Sequence, residues 1–196
     1  MFEGLDRIDW AAMAHAYGSA EDVPNLLRQL VSNDPEEREF ALGGLYGAVH
    51  HQGDIYDCTI ACIPFLLEAV ANPNMPDRGE ILDLLASIGG SDIPSFDAHQ
   101  AEENHADAKQ GFQNARIAHE AVLAKYDLFL ALLGDPDPTV RQNAPKVLCA
   151  CWERATSIVP AMQERLSNET DQQSRIQLIE AIGALADRGA KGRLAS

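Results

Sequence analysis

The chain has 196 residues, 46% hydrophobic and 23% charged, enough for one globular domain or a short array with a core of its own. Fifteen Lys and Arg stand against 30 Asp and Glu, a formal charge of −15. A surface of that sign repels nucleic-acid phosphates and anionic lipid and attracts basic partners, so nucleic-acid and membrane-surface binding are excluded as leading readings.

The charge is uneven. Residues 1–57 carry 11 acids and 3 bases, a net of −8, whereas residues 154–196 carry 5 acids and 6 bases, a net of +1. MFEGLDRIDW is not a basic-then-apolar leader, and no apolar run approaches the roughly 18 residues a membrane span needs. A cytoplasmic protein is expected, with Cys58, Cys62, Cys149 and Cys151 as free thiols; none of their spacings is C-x-x-C.

Apolar residues recur at intervals of three and four throughout, so helices are expected from end to end. Residues 1–18 carry Leu5, Ile8, Trp10, Met13 and Tyr17, which predicts a capping helix, the cap as a whole covering 1–20. A first helix pair follows over about 22–52, and HHQG at 50–53 closes it. Gly53 suits the left-handed position past a helix end, Asp54 can cap the next helix, and Asp57 falls in its first turn. A second pair spans about 54–90. The polar stretch 91–115 reads as a surface insertion, part loop and part helical extension. Two more pairs cover about 116–153 and 155–188, and RGAKGRLAS reads as a frayed basic tail.

These pairs resemble one another. NDPEER, NPNMPDR, DPDPTVR and NETDQQSR end at Arg38, Arg78, Arg141 and Arg175, each a polar turn that opens a helix. Seven residues after each arginine come Leu45, Leu85, Leu148 and Ile182; four after come Leu42, Leu82, Pro145 and Ile179; ten after come Ala48, Ile88, Cys151 and Leu185. Leu26, Leu66, Phe129 and Met162 align in the preceding helices. Self-similarity of this kind marks hairpins that bury their apolar stripe only by stacking. Pro145 should kink or shorten the helix it occupies.

A two-helix unit of about forty residues, with Asp-Pro in the turn and Arg in the second helix, resembles a HEAT repeat over roughly residues 20–190. IDW at 8–10, HAYG at 15–18, DVP at 22–24, HHQG at 50–53 and IPFLL at 63–67 resemble a bacterial HEAT-repeat family. The resemblance implies an all-α fold: an α-solenoid, or α-α superhelix, of about four HEAT-like hairpins with an N-terminal capping helix. It implies second helices lining the concave side, and no reaction.

On the second helices, positions one, five, eight and twelve after each arginine form a stripe opposite the packed columns. The stripe gives Glu39, Gly43, Tyr46 and His50, then Asp83 with Ser87 beside it, then Lys146 and Glu153, then Glu180 and Asp187, mainly acidic. Any helix has a solvated polar face, yet on a concave surface these residues would make an acidic groove with an aromatic anchor at one end. Neighbouring histidines on a helix point about 100° apart, so His50 and His51 are poorly placed to chelate one ion, and no metal or cofactor is expected. No G-x-S-x-G, Gly-rich phosphate loop or H-E-x-x-H occurs.

The leading reading is a non-catalytic protein-binding scaffold whose groove takes a basic protein, in its sharper form an immunity protein that neutralises a cationic toxin. The alternatives are an enzyme or catalytic accessory on a HEAT-like scaffold, lyase-like in character, and a structural subunit of a larger assembly. The oligomeric state is left open.

Overall fold

The computed structural model describes residues 1–90 and 106–194, with side chains over 1–90 and 110–188. The protein is mostly helical, in agreement with the all-α class. The described helices are α1 (Val23–Gln29), α2 (Pro35–Val49), α3 (Asp57–Ala71), α4 (Arg78–Ile88), α5 (Ala106–Leu123), α6 (Tyr126–Leu132), α7 (Pro138–Ala150), α8 (Ala155–Asn168) and α9 (Gln172–Leu194). Contacts divide the chain into two compact units, Met1–Asp77 with Ile93–Ala121 and Arg78–Asp92 with Val122–Ser196.

Local chemistry sets the helix starts. Asp34 caps α2, its carboxylate accepting the Glu36 N–H at 2.9 Å with Pro35 at the first helical position, and Asp137 caps α7 in the same way through Thr139 N–H at 2.8 Å. Asp171 accepts from Ser174 N–H at 2.8 Å just before α9. The expectation for Asp54 is corrected. The residue before α3 is Tyr56, and Asp54 lies outside that helix, 3.4 Å from the Tyr56 hydroxyl. The bonding there comes from Thr59, fully buried, which accepts from Tyr56 N–H at 2.9 Å and donates to the Val49 carbonyl at the end of α2.

In the first unit α1 packs on α2, and α3 contacts α1. The expected capping helix over 1–18 is absent. The segment makes two 3-10 turns, Leu5–Arg7 and Trp10–Ala12, and a short antiparallel hairpin of β1 (Ala14–His15) and β2 (Gly18–Ser19). Gly4 and Gly18 adopt φ of 93° and 132°, and the Asp9 carboxylate accepts the Ala12 N–H at 3.3 Å, holding a turn where a helix would have to pass. The segment still covers apolar surface. The Phe2 ring meets Phe65 edge-on at 5.9 Å, Trp10 lies 6.5 Å from the same ring, and Glu68 accepts the Phe2 N–H at 3.0 Å.

In the second unit α7 is the central helix, with α4, α6 and α9 packed against it, and α8 packs on α9. The predicted core columns are occupied by Leu45, Leu85 and Leu148, all at 0% exposure, and by Leu66, Phe129 and Met162, also at 0%. The fourth unit departs from expectation at Ile179 and Ile182, while Leu185 is buried as the column predicts. Ile182 is half-buried and Ile179 is 55% exposed, while Ser174, Leu178, Ala181 and Leu185 are buried. Before Leu185 the buried face of α9, at Ser174, Leu178 and Ala181, is thus turned by one residue, about 100°, from the column register. Nor does Pro145 break α7, which continues through it to Ala150 with Pro145 buried. The predicted insertion divides likewise: 106–115 form the start of α5, and 91–105 lie outside the described residues.

The register arginines share a role. Arg38, Arg141 and Arg175 each donate from Nη1 to the carbonyl six residues earlier, Ser32, Asp135 and Glu169, at 3.0, 2.9 and 3.0 Å. Three also reach an acid: Arg38 to Asp77 at 2.6 Å, Arg78 to Asp135 at 2.9 Å, and Arg141 to Glu169 at 2.9 Å.

Candidate functional site

The HHQG stretch stops α2 and sends its two histidines to different tasks. His50 is 6% exposed, with Nδ1 3.3 Å from the Asp54 carbonyl, which it faces as a donor. Gln52 and Gly53 follow at φ of 54° and 92°, so the left-handed exit falls on two successive residues. His51 is half-buried and turns outward. Its Nδ1 lies 3.2 Å from the Tyr17 hydroxyl, and the two rings meet edge-on at 5.3 Å. Tyr17 is 70% exposed. Below it, His15 Nδ1 accepts the Tyr17 N–H at 3.0 Å, so in the neutral ring the proton sits on Nε2, 3.0 Å from Asp22. The hairpin is fixed to the helix ends by Ala16 N–H on the Ala48 carbonyl at 3.1 Å and by Ala14 N–H on Asp57 at 3.1 Å.

An open cleft of about 790 Å³ in the same unit is lined by Ala14 and by residues 53–57, 110–112, 114 and 115. Asp54 and Asp57 supply its carboxylates, and Asn114 spans it by donating to the Ile55 carbonyl at 3.2 Å. Burial, then the adjacent Asp54 charge, pushes the Tyr56 phenol above its usual range.

The predicted stripe residues have unequal standing. In the first unit Glu39 is exposed, Tyr46 half-buried and His50 buried. In the second, Asp83 is half-exposed and paired with Lys146 at 2.7 Å, so it presents a neutralised pair rather than a bare charge. Ser87 is half-buried, and Glu153, Glu180 and Asp187 are exposed. Glu180 accepts from Gln177 at 3.2 Å. Sequence reasoning missed Phe40, which is 68% exposed on α2 beside Glu39. The signal was its position: Ala41, Leu45, Ala48 and Val49 are the buried face of α2, and Phe40 falls off it.

The thiols are built for packing. Burial raises Cys58 and Cys151 to about 12 and takes Cys62 well above the ordinary thiol value. Among the described residues no group of three or more His, Cys, Asp or Glu is arranged to hold a metal ion, and no helix is long and apolar enough to cross a membrane. No family model, curated protein or solved structure matches the chain.

Proposed function

We propose that the chain is a HEAT-like α-solenoid that acts as a non-catalytic scaffold for a basic protein, in the manner of an immunity protein neutralising a cationic toxin in the cytoplasm. The observation that carries this reading is the fate of the charges. Among the residues with described side chains, at least seven of the 12 bases are held in ion pairs, by acids that number at least six of 25. The bases are thus paired in greater proportion than the acids, some in buried pairs such as Arg78–Asp135 and others at the surface such as Arg116–Glu120, and the unpaired charge offered to a partner is more one-signed than composition alone implies. Such a field accelerates encounter with a cationic protein and selects against anionic ones.

The solenoid reading is supported by the shared arginine-to-turn hydrogen bonds and by helix pairs that start and stop close to the predicted boundaries. The stripe acids Glu39, Glu153, Glu180 and Asp187 are all exposed, with Tyr46 a half-buried aromatic on the same helix as Glu39.

The test is a pull-down at low and at high salt, comparing wild type with a Glu39→Lys, Glu153→Lys, Glu180→Lys variant. Asp83 is left out because it already has Lys146. A basic protein held by wild type, and lost in the variant and at high salt, supports the scaffold. Retention by both proteins overturns the stripe as the interface, and turnover of a small molecule with no protein recovered favours the enzyme reading.

A further inference from the structure

The outward face of α2 carries three features that the packing of the protein does not use. The first is Phe40, a large ring left 68% exposed on a helix whose opposite face is fully packed. The second is a pair of glycines. Gly44 has an internal reason to be glycine, since a Cβ there would stand 2.8 Å from the Leu26 side chain. Gly43 and Gly47 have none, since a Cβ at either would meet nothing within 4 Å. Glycine inside a helix weakens it relative to alanine, so these two positions lower the stability of α2 with no packing return within the chain. The third is charge. Glu36, Glu37 and Glu39 share this helix with one base, Arg38, which is tied to Asp77 at 2.6 Å and to the Ser32 carbonyl at 3.0 Å.

These features coincide in space. Glu36, Phe40, Gly43 and Gly47 are four, three and four residues apart, one line down the helix, with Glu39 beside it. A face with an aromatic post, bare backbone beyond it and uncompensated carboxylates at one end fits a particular occupant. We infer that this face of α2 docks a lysine- or arginine-rich segment of a protein partner. The segment's backbone lies close over Gly43 and Gly47, one of its cations stands over the Phe40 ring, and its other charges meet Glu36 and Glu39. Self-association through the same face is disfavoured, because a second copy would bring the same three glutamates against the first. The inference rests on the scaffold reading and narrows it to one helix of the first unit.

The test uses the full chain and a fluorescein-labelled oligo-arginine peptide, followed by anisotropy at several salt concentrations, with an oligo-glutamate peptide as control. Three variants address the face: Phe40→Ala, Glu36→Gln with Glu39→Gln, and Gly43→Gln with Gly47→Ala. A fourth, Glu180→Gln with Asp187→Gln, addresses the second unit. Wild type should bind the basic peptide in a salt-sensitive manner and ignore the acidic one. Phe40→Ala and the glycine variant should each weaken binding about tenfold or more, mainly through faster dissociation, and the glutamate variant should slow association. The glycine variant should meanwhile raise the thermal midpoint by about 4 °C, because both substitutions favour helix. A gain in stability with a loss of binding is a combination that a merely structural role cannot produce.

Binding lost only in the second-unit variant overturns the α2 site and leaves the scaffold reading standing. A glycine variant that is more stable and binds normally overturns the close-approach geometry. No binding by wild type overturns the basic-segment occupant, and the pull-down then decides the scaffold reading separately. Sedimentation as a dimer that Phe40→Ala dissociates assigns the face to a second copy instead.

Discussion

Arg141 and Glu169 form a polar pair that joins three elements of the second unit. Arg141 donates from Nε to Glu169 at 2.9 Å, while its Nη1 holds the Asp135 and Pro136 carbonyls at 2.9 and 3.0 Å. Glu169, 4% exposed, also receives Arg165 at 2.6 Å and the N–H groups of Thr170 and Asp171, both at 2.9 Å. One carboxylate therefore binds α7, α8 and the turn that opens α9. Burial alone would raise its pKa; the hydrogen bonds from Arg141 and Arg165, and that from Asp171 N–H, outweigh it and hold the group at about 2.

That depressed value fixes the direction of a pH effect. Glu169 is ionised in the folded protein down to about pH 2, whereas in the unfolded chain it protonates near the ordinary 4.5. Its stabilisation is complete above about pH 5 and is lost as pH falls towards 2, a loss of about 3 kcal/mol. Glu169→Gln should remove a similar amount at neutral pH and flatten the acid limb of a plot of thermal midpoint against pH. An unchanged acid limb in that variant would count against the assignment.

Gly79 and Gly44 should respond oppositely to Gly43 and Gly47 of the α2 face. A Cβ at Gly79 would stand 2.8 Å from the Thr139 carbonyl oxygen, where α4 crosses α7, and backbone cannot yield easily. Gly79→Ala should cost about 2 kcal/mol, seen as a lower denaturation midpoint. Gly44→Ala presses only on the tip of the Leu26 side chain, so its cost should be smaller.

Thiol labelling at pH 8 should separate the four cysteines. Cys149 is half-buried and should react first. Cys58, Cys62 and Cys151 are buried, with their thiolates disfavoured by burial, and should label only when the protein is unfolded. Rapid labelling of all four in the native protein would show that these helices open readily.

Gln52 holds φ of 54°, a left-handed conformation that costs a non-glycine residue about 1 kcal/mol. Gln52→Gly should therefore raise stability by up to that amount in urea denaturation, with no effect on peptide binding.

The readable parts of the fold were those decided locally. Asp34-Pro35 and Asp137-Pro138 announce helix starts because a cap is chosen by residues within three positions of it. The apolar columns were legible wherever a stripe is packed along its length, as at Leu45, Leu85 and Leu148. The amino-terminal segment was misread because its conformation follows from distant partners: Glu68 for Phe2 and Asp57 for Ala14. The register puts Asp83 and Lys146 in one column, each five residues after its arginine, but a column does not say that its members pair across neighbouring helices, as these two do. For the candidate site, Glu39 was legible as an exposed acid and Phe40 was not, since an apolar residue off the stripe reads as noise until its exposure is seen.

The separate tasks of His50 and His51 carry a consequence for how the chain would drift among relatives. His50 is enclosed and bound to the Asp54 carbonyl, so any replacement must fit the same space and supply a donor. His51 contacts a ring that is itself 70% exposed, and many side chains could take its place without disturbing the core. The doublet should therefore behave as two independent characters: the first nearly fixed by folding, the second free to change unless the Tyr17 surface is under selection of its own.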